Sequence, residues 1–149
     1  MTTKSSGFSL IELIVVVAII GILSAVGTLF YSSYTKGAKL TSAKNAMQQI
    51  SLGQTEYLSS YGSYYYNEDL GADCEPVLES GNGETSIAIE DNLFSGGDII
   101  TSEVGYDMCI QASASGSGYL IKASNGTSEG SRNVTLDYTG TWTEEVITD

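Results

Sequence analysis

A single carboxylate, Glu12, sits near the start of a run of apolar residues, Gly7 to Leu23, GFSLIELIVVVAIIGIL. An ionisable side chain in such a run is costly in hydrocarbon, so it marks a functional position that needs a partner. The chemistry open to it is ion pairing or hydrogen bonding, because a carboxylate among apolar groups is stable only when its oxygens are satisfied. One partner is local. Ser9-x-x-Glu12 fits a capping box, in which Glu12 serves the first turn of a helix.

The other reactive residue types are sparse. Cys74 and Cys109 are the only cysteines, and their separation rules out a CxxC redox or metal motif. Outside the cytoplasm the simple reading is one disulfide, which would stabilise the fold by roughly 3–4 kcal/mol; two buried free thiols are the alternative. There is no histidine, which removes the commonest general base and the commonest zinc ligand together. Ser-His-Asp and Cys-His arrangements are therefore excluded. Asp69, Asp73, Glu75 and Glu79 could be imagined around calcium, but their spacing lacks the EF-hand pattern and reads as a solvated acidic loop. Gly96-Gly97 and Gly116-x-Gly118 read as turns, since no strand-to-helix phosphate loop surrounds them. The sequence thus points to no catalytic residue, no metal site and no cofactor. Tyr64-Tyr65-Tyr66 offers either an adhesive patch or packing of a loop on a sheet.

The elements that must position these residues fall into two kinds. From Leu13 to Thr35 there is no charged side chain, which meets the ~20 residues a helix needs to cross a bilayer. A helical stripe then continues through Leu40, Ala43, Met47, Ile50, Gln54, Tyr57 and Tyr61, with Gln54 its one polar member. Gly53 weakens this helix and Gly62 is a plausible stop. A helix over residues 8–61 would be about 80 Å long, its first part (8–35) unable to face water and so covered by a membrane or by neighbouring copies. Beyond it, residues 62–149 are polar and acidic. Six basic residues oppose eighteen acidic ones, a net charge of −12 on 149 residues, which disfavours nucleic-acid binding. Residues 63–83 read as a surface loop. Strands are expected at Ser86–Glu90, Tyr106–Ala114, Tyr119–Ser124 and Asn133–Tyr138, with an edge over Thr141–Val146 and a hairpin turn at residues 115–118. The fold class is α+β: a long amino-terminal helix on a small antiparallel sheet of about four strands.

The short leader ending in Gly7, then Phe8, then Ser9-Leu10-Ile11-Glu12-Leu13 and an apolar run resembles the class III signal of type IV pilins and pseudopilins. Gln54-Thr-Glu-Tyr57 followed by Tyr61-Gly62-Ser63-Tyr64 also resembles the helix end of such pilins. The resemblance implies the pilin ladle fold. It implies removal of residues 1–7 by a prepilin peptidase cutting between Gly7 and Phe8, with N-methylation of Phe8. It assigns Glu12 to pairing with the amino-terminal nitrogen of Phe8 on an adjacent subunit, and it fits a disulfide between Cys74 and Cys109. The implied function is that of a structural subunit, the major pilin, forming a homopolymer on the bacterial surface for adhesion, motility or DNA uptake. The implied partners are further copies of the chain, the peptidase, the inner membrane before assembly and the pilus assembly machinery. The alternatives are a type II secretion pseudopilin and an initiating or adhesive minor pilin. One departure is Leu29 and its neighbours near Gly27: many pilins have a proline in this half of the run, where the helix opens in the fibre, and this chain has none.

Overall fold

The computed structural model describes residues 7–67, 73–79, 81–114 and 117–148, with Leu29 described by its backbone alone. Most of the leader, Asp69 and the first half of the expected hairpin turn at 115–118 lie outside the described residues. The chain divides into two compact units, Met1–Gly37 and Ala38–Asp149.

Helix α1 spans Leu10–Tyr61 and runs without a break through Gly21 and Gly27. Its end is a left-handed cap. Gly62, at φ 76°, donates its N–H to the Leu58 carbonyl at 2.8 Å, satisfying a carbonyl the helix would otherwise leave orphaned. In the second unit the middle of the helical stripe faces inward, with Leu40 and Tyr57 half-buried, whereas its last member, Tyr61, is exposed. Ala43, Met47, Ile50 and Gln54 are fully buried, while Gln48, Gln49, Thr55 and Glu56 are exposed. Gly53 has a packing reason: a Cβ there would lie 3.0 Å from Phe94 Cζ, so the missing side chain admits the end of the next helix.

That next helix, α2, spans Glu84–Phe94 and corrects the strand expected at Ser86–Glu90. Ile87 and Ile89 suggest alternation, yet Ile89 is buried and Ile87 is 45% exposed. Two residues along a helix turn through about 200°, so a five-residue window fits both periods. The wider pattern decides it: Ser86, Ile89 and Leu93, at helical spacing, face inward. Ser95 and Gly96, both at positive φ, end the helix, and the Gly96 N–H donates to the Glu90 carbonyl at 3.0 Å.

Four strands follow: β1 (Asp107–Ala112), β2 (Tyr119–Ser124), β3 (Arg132–Asp137) and β4 (Trp142–Val146). They form an antiparallel meander in the order β1-β2-β3-β4. The register aligns one apolar face across the sheet: Ile110 opposite Ile121, Ile121 opposite Leu136, and Leu136 opposite Trp142. This face joins Ala43, Met47 and Ile50 of α1 and Ile89 of α2 in one core. The α+β architecture and all four of the later strands agree with the sequence.

Candidate functional site

Two sets of residues carry the chemistry, one in each unit. In the first unit, every described side chain from Phe8 to Tyr34 is exposed; Phe8 is 83% and Leu10 75% exposed. The helix is long and apolar enough to cross a membrane. Glu12 lies in its first turn and accepts a hydrogen bond from the Ser9 backbone N–H at 3.0 Å. This is the reach-back half of the capping box, so the local role of Glu12 is present in the isolated chain. The carboxylate also lies where the helix dipole favours negative charge. Gly7 and Phe8 precede the helix as exposed chain.

In the second unit, Cys74 and Cys109 form a disulfide across a sequence separation of 35. Cys109 belongs to β1 and both cysteines are fully buried. The bridge pins residues 73–79 to the face of the sheet opposite the main core, where Lys122 is the register partner of Cys109. Lys122 reinforces it by donating from Nζ to the Cys74 carbonyl at 3.0 Å and to Asp73 Oδ1 at 2.5 Å. The hydrogen bond and charge of Lys122 hold the Asp73 carboxyl below its ordinary value. Asp73 is thereby engaged in an ion pair. Among the described residues no group of three or more Asp, Glu, Cys or His side chains could hold a metal ion.

The loop between α1 and α2 is held by three buried polar side chains. Gln54 forms a reciprocal pair with Tyr65, donating to its carbonyl at 2.8 Å and accepting from its N–H at 2.9 Å. This explains the polar member of the apolar stripe: an amide side chain mimics a strand neighbour. Asn67 does the same for the edge of β1, its Oδ1 accepting from the Ile110 N–H at 2.7 Å while its own N–H donates to the Ile110 carbonyl at 2.9 Å. Asp107 is the third and was not singled out by its sequence. Only 2% exposed, it accepts from the N–H groups of Glu79 (2.8 Å), Gly81 (2.9 Å) and Gly83 (3.0 Å) and from the Ser86 hydroxyl (3.3 Å). The only available signal was an acidic residue entering an apolar strand, in YDMCI.

The three consecutive tyrosines pack the loop, as one of the two sequence readings held. Tyr64 meets Tyr119 edge to face at 5.0 Å between centroids, and the Tyr66 hydroxyl donates to the Gly118 carbonyl at 3.3 Å. All three lean on the core and stay half-buried. Burial raises the phenol pKa of Tyr66 and of Tyr119, the latter opposed by its 2.7 Å hydrogen bond with the Ser51 hydroxyl.

The comparisons with known proteins bear on both units. The family described as the prokaryotic N-terminal methylation motif matches residues 2–28. A fimbrial protein of Pseudomonas aeruginosa is 38% identical over 93 residues, covering 58% of this chain and 60% of that protein. Type IV major pilin protein PilE1 of Neisseria gonorrhoeae is 38% identical over 71 residues, 48% of this chain and 33% of its own length. A fimbrial protein of Neisseria meningitidis serogroup A is 39% identical over 67 residues, 45% of this chain and 39% of its own. The matches thus span 60% or less of these relatives. No solved structure gives a significant match. The chain carries the class III, N-terminal methylation signal and is homologous to type IV pilins and fimbrial proteins.

Proposed function

We propose that this chain is a type IV pilin subunit, of the major class, which polymerises through its apolar helix into a filament on the cell surface. The observation that carries the reading is the exposure of every described side chain from Phe8 to Tyr34, with Glu12 as the only carboxylate among them. Soluble proteins rarely expose a contiguous apolar patch beyond a few hundred Å². This helix needs lipid around it as a monomer and other copies around it as a polymer. The names of the relatives, fimbrial protein and major pilin, favour a pilus subunit over a pseudopilin of a secretion machine. The role is structural, and the surface of the second unit is what the filament would present outside the cell.

The processing step supplies the chemistry of assembly. While residues 1–7 are attached, the nitrogen of Phe8 is a neutral amide, and Glu12 accepts from the Ser9 N–H. Hydrolysis of the Gly7–Phe8 bond gives the leader a carboxylate and gives Phe8 an ammonium, which stays cationic when methylated. Glu12 would then pair with the Phe8 nitrogen of an adjacent copy, a charge-assisted contact in a dry core. Capping by Glu12 suits the pool in the membrane; pairing suits the filament and fixes axial register, as one buried polar residue does in a coiled coil. The test is the mass of the chain in purified surface filaments. A chain beginning at methylated Phe8 is expected, and a filament chain that retains Met1 would overturn the processing step.

A further inference from the structure

Two asparagines of this chain precede a glycine, in Asn82-Gly83 and Asn125-Gly126. Such a pair carries chemistry of its own, because a glycine nitrogen has no neighbouring side chain to hinder its approach to the asparagine amide carbon. The fold treats the two pairs differently. Gly83 is buried, and its N–H donates to the Asp107 carboxylate at 3.0 Å. A Cβ on Gly83 would lie 1.9 Å from the Val77 carbonyl oxygen, so neighbouring backbone packs directly against it. Asn125 and Gly126 instead follow the end of β2, where Asn125 is exposed. The Gly126 N–H donates to the Ser124 hydroxyl across 3.4 Å, a long contact, and that hydroxyl donates to the Gly126 carbonyl at 3.0 Å. The Asn125 side-chain oxygen accepts from the Arg132 N–H at 2.7 Å.

We propose that Asn125 is a self-modifying site, converted with water to aspartate and isoaspartate, while the fold shields Asn82 from the same reaction. The Gly126 nitrogen attacks Asn125 Cγ and closes a cyclic imide. The Cγ–Nδ2 bond breaks, and Nδ2 leaves as ammonia with the proton of the Gly126 N–H. Negative charge in the addition step gathers on Oδ1, where the Arg132 N–H already donates. Water then opens the imide at one carbonyl or the other, giving aspartate or isoaspartate. The balance is one water consumed and one ammonia released, with no change of oxidation state. At Asn82 the attacking nitrogen would first have to leave a buried carboxylate. Each conversion at Asn125 adds one negative charge, taking the chain from −12 to −13. Aspartate keeps an acceptor for the Arg132 N–H. Isoaspartate inserts a methylene into the backbone where Asn125 and Arg132 exchange hydrogen bonds between β2 and β3, so it disturbs that connection. The change is one-way, concerns the second unit alone and holds whether or not the chain forms filaments.

The test incubates the full chain at mildly alkaline pH, one sample folded in detergent micelles and one unfolded in guanidinium chloride. Both are digested at intervals and mapped by mass. Conversion makes the peptide that contains the asparagine about one mass unit heavier, and chromatography separates the isoaspartate form from the aspartate form. In the folded sample Asn125 is expected to convert at least about tenfold faster than Asn82, the weight of one charge-assisted hydrogen bond. In the unfolded sample the two sites should convert at similar rates, since each is then an asparagine before a glycine and nothing more. No variant is needed, so loss of folding by a substitution cannot blur the result. An Asn125 that stays intact in the folded chain while the unfolded chain converts, or equal rates at the two sites in the folded chain, would overturn the proposal. So would a tenfold difference that persists after unfolding.

Discussion

The two units of this chain obtain their stability from opposite sources. In the second, Met47, Ile50, Met108, Ile110 and Ile121 are fully buried among one another, and a disulfide and three buried polar side chains tie down the loop between α1 and α2. In the first, side chains of the same apolar types are exposed, and short-range hydrogen bonds run from the Ser9 N–H to the Glu12 carboxylate, from the Thr28 hydroxyl to the Ala25 carbonyl and from the Thr35 hydroxyl to the Ser32 carbonyl. The backbone of a helix is satisfied internally, so such a segment can exist in lipid as it stands. It cannot exist in water without cover. One unit is a folded domain in its own right; the other is a surface awaiting its environment.

The sharpest way to break this contrast is Glu12→Ala. It removes the one carboxylate of the apolar run and touches nothing in the second unit. The expected outcome is loss of surface filaments, with a normal membrane-inserted pool and an unchanged unfolding midpoint for the second unit. Normal filament numbers by electron microscopy would leave Glu12 with its capping role alone. The next largest effect runs the other way. Replacing Cys74 and Cys109 by serine should destabilise the second unit by about 4 kcal/mol on the chain-entropy account of a loop this long. It should leave the helix signal of the first unit in micelles unchanged. Circular dichroism and urea unfolding read both quantities on one sample.

Asp107 probes the same unit more finely. Asp107→Ala leaves three backbone N–H groups and the Ser86 hydroxyl without an acceptor, at a cost of ~3 kcal/mol. Asp107→Asn retains an oxygen for Gly81, Gly83 and Ser86 but presents an amide NH₂ to the Glu79 N–H, so about half that loss is expected. Equal destabilisation by the two variants in urea unfolding would show that the negative charge, rather than the count of acceptors, holds the loop.

What could be read in the sequence follows from how local each signal is. The stripe from Leu40 to Tyr61 spans several turns, so its period is unambiguous, and the Gly62 cap acts on its own helix. Strands β1 and β2 alternate on both sides of a glycine-rich turn, which sets their pairing. Helix α2 is not legible in its own segment, because Ile87 and Ile89 alone cannot separate two periods. Gln54, Asn67 and Asp107 are polar residues in apolar settings, and their partners come from loop backbone that no periodicity describes.

The smallest expected effect concerns acid. Asp137 closes the β3–β4 turn, its Oδ1 accepting from the Thr139 N–H (2.8 Å), the Thr139 hydroxyl (2.6 Å) and the Thr141 N–H (2.9 Å). The Thr139 hydroxyl above all, then the Thr141 N–H, holds its carboxyl below the ordinary value of 3.8. A carboxyl depressed on folding adds stability that is present above its unfolded pKa and lost as pH falls through the folded one. The turn is open to solvent, so the contribution is small. Asp137→Asn should therefore lower the unfolding midpoint slightly at neutral pH, and the gap from the parent chain should close as pH falls below 3.8. A gap that stays constant from neutral pH down to pH ~2 would show that the asparagine acts through turn geometry instead of charge. Because the turn belongs wholly to the second unit, neither outcome should alter filament formation at neutral pH, where the demands on the first unit are those of the apolar run and Glu12.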